Sequence, residues 1–121
     1  MESGTPFWTE LVQRAYDLHK WELQWLSKMP KSYRYGLGYQ IETSGMLLLT
    51  QLLDARYGFD RQRALTEALR LTNHHRYQLR LALELSLMTL AQQEHALKYI
   101  LELGRLLGSV TKGVESECVD P

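Results

Sequence analysis

Apolar residues recur every three or four positions along most of the chain, the spacing that brings them onto one face of an α-helix. Four such runs can be separated, and they predict helices at about residues 6–29, 32–57, 61–87 and 90–112. Helices of similar length joined by short loops favour an antiparallel up-down-up-down arrangement. The chain is therefore predicted to be an all-α four-helix bundle over residues 5–113, followed by a disordered tail at 114–121.

Residues typical of helix ends support these boundaries. Thr5-Pro6 suits a helix start, and the residue before Pro30 is pushed out of the α region, which should end the first helix. Gly58 can adopt the left-handed conformation that closes a helix. Thr89 and Gln92 have capping-box spacing, so Thr89 should begin the fourth helix. The predicted N-caps are Thr5, Ser32, Asp60 and Thr89.

The composition of this 121-residue chain agrees with one helical domain. Leucine dominates the apolar residues, which make up 45% of the chain, and only three prolines interrupt it. No apolar run is long enough to span a bilayer, and the N-terminus does not resemble a secretion signal. Cys118 is the single cysteine, so no disulfide can form within the chain and a cytoplasmic location is expected.

The formal net charge of zero conceals an uneven distribution of charge. All 14 Lys and Arg residues lie within the predicted bundle, whereas four of the 14 acidic residues (Glu2, Glu115, Glu117 and Asp120) lie outside it. The bundle therefore carries 14 basic and 10 acidic residues, a surplus of four positive charges. This surplus is a mild indication of a polyanionic partner.

Four-helix bundles often hold di-iron sites, which need two Glu-x-x-His pairs facing inward. This sequence contains no such pair; His19 and Glu22 have the reverse order and are interpreted as a solvated surface contact. No Cys–His pattern suits zinc, and Gly36-Leu37-Gly38 has neither the third glycine nor the preceding strand of a phosphate loop. We therefore expect no metal and no other cofactor.

One enzymatic hypothesis comes from Arg70 and His75. The segment resembles the Arg-x4-6-His motif of all-α HEPN-type ribonucleases, in which Arg would stabilise phosphorane charge and His would transfer protons. The motif is short, Leu71 replaces its usual polar residue, and His75 falls on the apolar side of the helix. The alternative is a hydrogen-bonded histidine at the edge of the core, and the chain is expected not to be an enzyme.

Basic residues predict a nucleic-acid surface more strongly than they predict catalysis. On the third helix Arg63, Arg70 and His74 are spaced by seven and four residues, so they share one face, and Arg80 lies beside them. A second group surrounds the first interhelical turn and consists of Lys28, Lys31 and Arg34. Together these residues suit contact with the RNA backbone rather than base readout, although for each alone a solvated face is the alternative.

Several apolar positions fall off the predicted core faces and suggest contacts with other subunits or partners. They are Trp21 on the first helix and Tyr77 and Leu81 on the third. The alternative is that the helical phase drifts over seven turns. Gly104 and Gly108 each weaken a helix by about 1 kcal/mol relative to Ala, which suggests the close approach of another helix or of other backbone.

Two stretches resemble a known family: residues 29–42 (Met-Pro-Lys-Ser-Tyr-Arg-Tyr-Gly-Leu-Gly-Tyr-Gln-Ile-Glu) and the segment from Leu79 to Ser109, which ends in Leu-Gly-Arg-Leu-Leu-Gly-Ser. They are similar to the accessory variability determinants of diversity-generating retroelements. These belong to a four-helix-bundle superfamily that includes proteins encoded in intervening sequences of bacterial ribosomal RNA genes. The resemblance extends from about Trp8 to Lys112, with Val110 where many relatives have Trp.

The resemblance implies a non-enzymatic accessory protein that assembles as a homopentamer. Such a protein would bind the retroelement's reverse transcriptase and its template RNA, or an RNA/DNA hybrid, to support mutagenic retrohoming. The matching motif positions are Lys31, Arg34, Gln40, Gly104, Arg105 and Gly108, which adds Arg105 to the predicted RNA-binding residues. The near-neutral charge departs from more strongly cationic relatives. The alternatives are a ribosomal-RNA intervening-sequence protein of unassigned role and the HEPN-like ribonuclease.

Overall fold

The computed structural model describes the backbone of residues 5–119 and the side chains of residues 7–110. This part of the chain forms four helices and no strand. Helix α1 is Thr5–Leu26, α3 is Arg61–Glu84 and α4 is Leu90–Val119. Helix α2 comprises three consecutive pieces, the first turn Lys31–Tyr33, a π-helical turn Arg34–Gly38 and the α-helical Tyr39–Arg56.

Each helix packs against its neighbours along the chain, and α4 also packs against α1, which closes the bundle. All four helices contribute fully buried leucine or isoleucine side chains to one core. Examples are Leu18 on α1, Leu52 on α2, Leu79 on α3 and Leu103 on α4, each at most 2% exposed. The predicted all-α four-helix bundle is confirmed.

Two predicted helix ends have the expected geometry. Thr89 and Gln92 form the reciprocal capping box: the Thr89 N–H donates to Gln92 Oε1 at 2.9 Å, and the Gln92 N–H donates to Thr89 Oγ1 at 3.1 Å. Gly58, between α2 and α3, has a φ of +83°, the left-handed conformation that glycine adopts without strain.

The turn between α1 and α2 differs from the prediction. Helix α1 ends at Leu26, and the backbone N–H of Met29 donates to the Leu26 carbonyl in a further tight turn. Pro30, rather than Ser32, is the residue that precedes α2, and no side chain caps that helix. Proline at this position fixes φ near the value the turn needs, so the backbone begins the helix without a hydroxyl cap.

Asp60 precedes α3 as predicted, but its side chain does not cap the helix. Its φ of 47° is left-handed, unlike the extended backbone typical of a capping residue. The carboxylate instead accepts a hydrogen bond from Arg63 Nε at 3.0 Å. At the other end α3 stops at Glu84, and Ser86 takes the left-handed conformation in the turn that follows.

Helix α4 continues to Val119, whereas the sequence predicts a helix end at 112 and a disordered tail from 114. No proline interrupts the chain between Pro30 and Pro121, so no backbone constraint forces the helix to end earlier. Pro6 lies within α1, but its side chain is not described, since the described side chains are those of residues 7–110. The capping role predicted for Thr5 likewise falls outside the described side chains.

The glycines of α2 allow it to approach α1 closely. A Cβ on Gly38 would lie 3.0 Å from Met29 Sδ, in the turn after α1, and 3.5 Å from Cδ2 of Leu26, the last residue of α1, so the π-helical turn packs tightly there. A Cβ on Gly45 would lie 2.6 Å from His19 Nδ1, which is closer than real Cβ contacts come. Within the described residues, none of the helices has the length and apolar character needed to cross a membrane.

Candidate functional site

The bundle interior holds a polar cluster that the sequence did not predict. His19 and Glu22 are buried, at 5% and 0% exposure, so their interpretation as a solvated surface contact is wrong. They face His75 of α3 and Ser44 of α2 across the core, and Gly45 leaves room for them. We call His19, Glu22, Ser44, His75 and Gln78 the buried polar cluster.

The central contact of this cluster joins His75 to Glu22. His75 Nε2 lies 2.6 Å from Glu22 Oε2, and both side chains are fully buried. His75 Nδ1 lies 2.9 Å from Gln78 Oε1 and 3.2 Å from Ser44 Oγ. With the Glu22 carboxylate and the Gln78 amide oxygen as acceptors, both ring nitrogens donate, which is the hydrogen-bonding pattern of an imidazolium.

The protonation of the two histidines differs because their partners differ. Burial alone would lower the pKa of His75, but the charge of the Glu22 carboxylate and the hydrogen bonds that His75 donates to Glu22 and Gln78 outweigh it and raise the pKa. Burial lowers the pKa of His19, whose two ring nitrogens have no hydrogen-bond partner. The cluster therefore contains one ion pair and one neutral imidazole.

This geometry does not support chemistry on an external substrate. His75 has no exposed surface and both its ring nitrogens are engaged, whereas Arg70 is exposed and pairs with Glu67. Arg70 lies beside His74 instead, 3.5 Å from its Nδ1. The two residues of the ribonuclease hypothesis therefore do not share a site. Among the side chains described, no group of three or more His, Cys, Asp and Glu residues could hold a metal ion.

The basic residues predicted to bind nucleic acid lie on the surface, but in separate places. Lys28 and Lys31 are exposed at the turn between α1 and α2, and Arg34 is half-buried with Nη1 3.4 Å from Glu42 Oε1. On α4, Arg105 pairs with Glu102, and its Nη2 lies 2.6 Å from Glu102 Oε2. The end of the bundle near the first turn and the faces of α3 and α4 therefore hold distinct basic groups.

The three α3 arginines predicted to bind RNA are exposed, and each pairs with a carboxylate on the same helix or directly before it. Arg63 pairs with Asp60, Arg70 with Glu67, and Arg80 with Glu84 at 3.2 Å. Arg63 also reaches Gln51 of α2, whereas Arg80 lines a groove against α4. The two ends of this arginine set therefore face different neighbouring helices.

The predicted interface residues divide into exposed and enclosed ones. Tyr77 and Leu81 are exposed, as the helical phase of α3 predicts, at 69% and 46%. Trp21 is instead half-buried and packs within the chain: its ring stacks on Trp25 at a centroid distance of 6.2 Å and contacts His95 at 5.2 Å. Its aromatic surface is thus largely used inside the bundle.

Gly104 and Gly108 do not mark a close approach within the chain. A Cβ built on either glycine meets no atom within 4 Å, in contrast to Gly38 and Gly45. Packing within the described residues therefore does not account for glycine at these two positions.

Two features of the surface were missed from the sequence. One is an apolar strip on the outer side of α2, formed by Tyr35, Tyr39, Met46 and Leu53, all exposed; the seven-residue spacing of Tyr39, Met46 and Leu53 could have revealed it. The other is Arg76, the only arginine with a described side chain that has neither an ion pair nor a hydrogen bond. We call the first feature the α2 apolar strip.

The structure is therefore an all-α helical bundle whose apolar core encloses one polar cluster and whose outer faces carry charged and apolar side chains. The bAvd-like family matches residues 10–114 of the chain. The chain belongs to the bAvd-like family. No curated protein and no solved structure matches it.

Proposed function

We propose that this protein is a non-enzymatic accessory factor of a diversity-generating retroelement. In this role it binds the element's reverse transcriptase and template RNA as a homo-oligomer, a pentamer by family resemblance, and supports mutagenic retrohoming. Membership of the bAvd-like family favours this accessory role over the intervening-sequence alternative. The observation that carries the RNA part is the exposed arginine surface of α3.

The ion pairs of that surface do not prevent it from binding RNA. Arg63 and Arg80 remain more than half exposed in their pairs with Asp60 and Glu84. Surface pairs of this kind contribute little to stability because water screens them. A phosphate can therefore replace the carboxylate as the arginine's partner, and release of counterions from RNA adds to the binding free energy.

The protein-binding part of the proposal rests on exposed apolar side chains. Tyr39 and Met46 of the α2 apolar strip are 57% and 50% exposed, although their helix already packs a full face into the core. A second apolar face on a bundle helix is typical of a surface that another protein covers. Such a face can form contacts between subunits and contacts with the reverse transcriptase.

The RNA part is tested by measuring binding to labelled RNA over a range of salt concentrations. Affinity should fall steeply with salt, and Arg63→Ala, Arg70→Ala and Arg80→Ala should each lower the slope of log K against log salt by about one unit or slightly less. Lys20→Ala removes the same charge from an exposed site outside the predicted set and should change the slope less. Affinity that is independent of salt would contradict the proposal.

The protein part is tested by co-expression with the reverse transcriptase encoded at the same locus. Co-purification that survives nuclease treatment would support direct binding, because RNA could not then bridge the two proteins. Separate elution of the two proteins, or the absence of any reverse transcriptase gene beside this one, would contradict the proposed role.

A further inference from the structure

The groove between α3 and α4 has the features of a small-ligand site. It has a volume of about 420 Å³ and is lined by Asn73, Arg76, Tyr77, Arg80, Gln93 and Leu97. Clefts that hold small ligands usually have volumes of about 300–1,000 Å³, with a few polar groups on an otherwise apolar or aromatic wall. The groove lies outside the buried polar cluster and is open to solvent.

Positive charge in this groove is not fully compensated. Arg76 is exposed and, among the side chains described, has no carboxylate or other hydrogen-bond partner. Arg80 lies one turn further along the same helix and pairs with Glu84, which leaves Arg76 as the unneutralised cation. An anionic group is the complement that such an arginine favours.

The groove also contains an exposed aromatic ring. Tyr77 is 69% exposed, and the Arg80 guanidinium carbon lies 5.9 Å from the centre of its ring. The opposite wall carries Gln93, whose Nε2 donates to the Leu79 carbonyl at 3.3 Å, leaving Oε1 to accept a hydrogen bond. Leu97 adds an apolar surface.

We propose that this groove binds one unpaired nucleotide of RNA. Its base stacks on Tyr77, its phosphate pairs with Arg76, and the amides of Asn73 and Gln93 meet the edge of the base. This inference rests on the proposed RNA binding and specifies the part of the RNA that is bound. An acidic peptide could pair with Arg76 and Arg80. It has no planar base to stack on Tyr77, and no base edge to hydrogen-bond with the amides.

The test compares an unstructured, labelled RNA strand with the same strand annealed to its complement. The strand has about 12 nucleotides, within the ~4–16 nucleotides that one single-strand-binding fold covers. Wild-type protein should bind the single strand more tightly. Tyr77→Ala should weaken binding of the strand about five-fold or more, the effect of losing one stacked base, with little change for the duplex. Tyr77→Phe keeps the ring and should retain most of the affinity.

Tyr57→Ala is the matched control, because Tyr57 is similarly exposed at 65% and has the Arg56 guanidinium 5.3 Å from its ring, but lies outside the groove. It should bind both RNAs as wild type does. Equal loss in Tyr57→Ala and Tyr77→Ala would overturn the assignment of the groove. So would tighter binding of a polyglutamate peptide that depends on Arg76.

The outcomes separate this inference from the proposed function. If Tyr77→Ala binds the strand normally while affinity still falls with salt and with loss of Arg63 or Arg70, the groove proposal is wrong and RNA binding stands. If wild-type protein binds neither RNA at low salt, the groove proposal and the proposed RNA binding are both wrong.

Discussion

His75 on α3 and Glu22 on α1 form an ion pair with no exposed surface, with 2.6 Å between Nε2 and Oε2. Taking two charges out of water is unfavourable, and their attraction offsets this only while both partners are present. Ser44 and Gln78 supply further hydrogen-bonding groups around His75. The pair joins α1 to α3, and Ser44 adds α2, so these contacts favour one specific arrangement of the three helices.

Removal of one partner of this pair should destabilise the fold strongly. Glu22→Ala or His75→Ala should lower the free energy of unfolding by about 3–5 kcal/mol, because each leaves a buried group without its partner. Urea denaturation followed by circular dichroism measures the change. Glu84→Ala, which removes an exposed carboxylate from the end of α3, serves as the control and should have a small effect. The double variant should lose less than the sum of the single losses; strict additivity would contradict the pairing.

Stability should pass through a maximum as pH varies near neutrality. The lowered pKa of His19 means that the unfolded chain binds more protons below about pH 6.5, so stability falls as the pH drops through that range. The raised pKa of His75 has the opposite effect: its contribution is complete below about 6.5 and is lost as the pH rises through its folded-state pKa. Chemical denaturation at a series of pH values measures both limbs.

Variants assign each limb of that profile to one histidine. His19→Leu should flatten the fall in stability below about pH 6.5, and His75→Leu should remove the fall on the alkaline side. Hydrogen bonds from Arg70 and Arg105 lower the pKa of Glu67 and of Glu102. These carboxylates change stability only below about pH 4.5, so their effect can be separated from that of the histidines. A His19→Leu profile identical to wild type would contradict the assignment.

Alanine should have opposite effects at two helical glycines. At Gly45 the new Cβ would lie 2.6 Å from His19 Nδ1 and 3.2 Å from Glu22 Oε1, so Gly45→Ala should destabilise by about 1–3 kcal/mol, as overpacking does. At Gly104 no atom lies within 4 Å, so Gly104→Ala should stabilise the subunit by about 0.5–1 kcal/mol. Thermal or chemical unfolding measures both. If Gly104→Ala also weakens assembly, that glycine lies in a subunit contact.

The capping box at the start of α4 should contribute measurably to stability. Thr89→Ala removes the hydroxyl that accepts from the Gln92 N–H and should cost about 0.5–2 kcal/mol. Thr66→Ala is a matched control, since Thr66 is exposed within α3 and its hydroxyl only donates to the Gln62 carbonyl of the preceding turn. Equal effects of the two substitutions on the urea midpoint would contradict a capping role.

A charge on the α2 apolar strip should disrupt assembly. Met46→Glu should lower the solution mass from that of the oligomer towards that of the subunit, because an unpaired carboxylate would be desolvated in the interface. Leu90→Glu places the same charge on another exposed apolar site, 61% exposed at the start of α4, and should leave the mass unchanged. Sedimentation or light scattering measures both. A wild-type monomer at micromolar concentration would contradict the oligomer proposal.

Much of the fold follows from local patterns. The three- and four-residue spacing of leucines, the Thr89–Gln92 capping box and the left-handed Gly58 each depend on residues close together in sequence, so the sequence alone predicts them. The start of α2 and the Asp60 cap were less predictable, because proline before α2 and left-handed backbone geometry at Asp60 took the place of side-chain capping. The exposure of Tyr77 and Leu81 followed from helical phase on α3.

The buried polar cluster depended on tertiary structure. His19 and Glu22 are ordinary surface residue types, and only the close approach of α1 to α2 at Gly45 and the arrival of His75 from α3 enclose them. Their partner, His75, is distant in the sequence, and no local pattern specifies that its face of α3 will pack against them. The groove that joins Arg76 and Tyr77 to Gln93 arises in the same way, from two helices packed side by side. The sequence by itself determined the helices and their apolar faces, because helix formation depends on neighbouring residues; the packed bundle alone decided which polar groups share an environment.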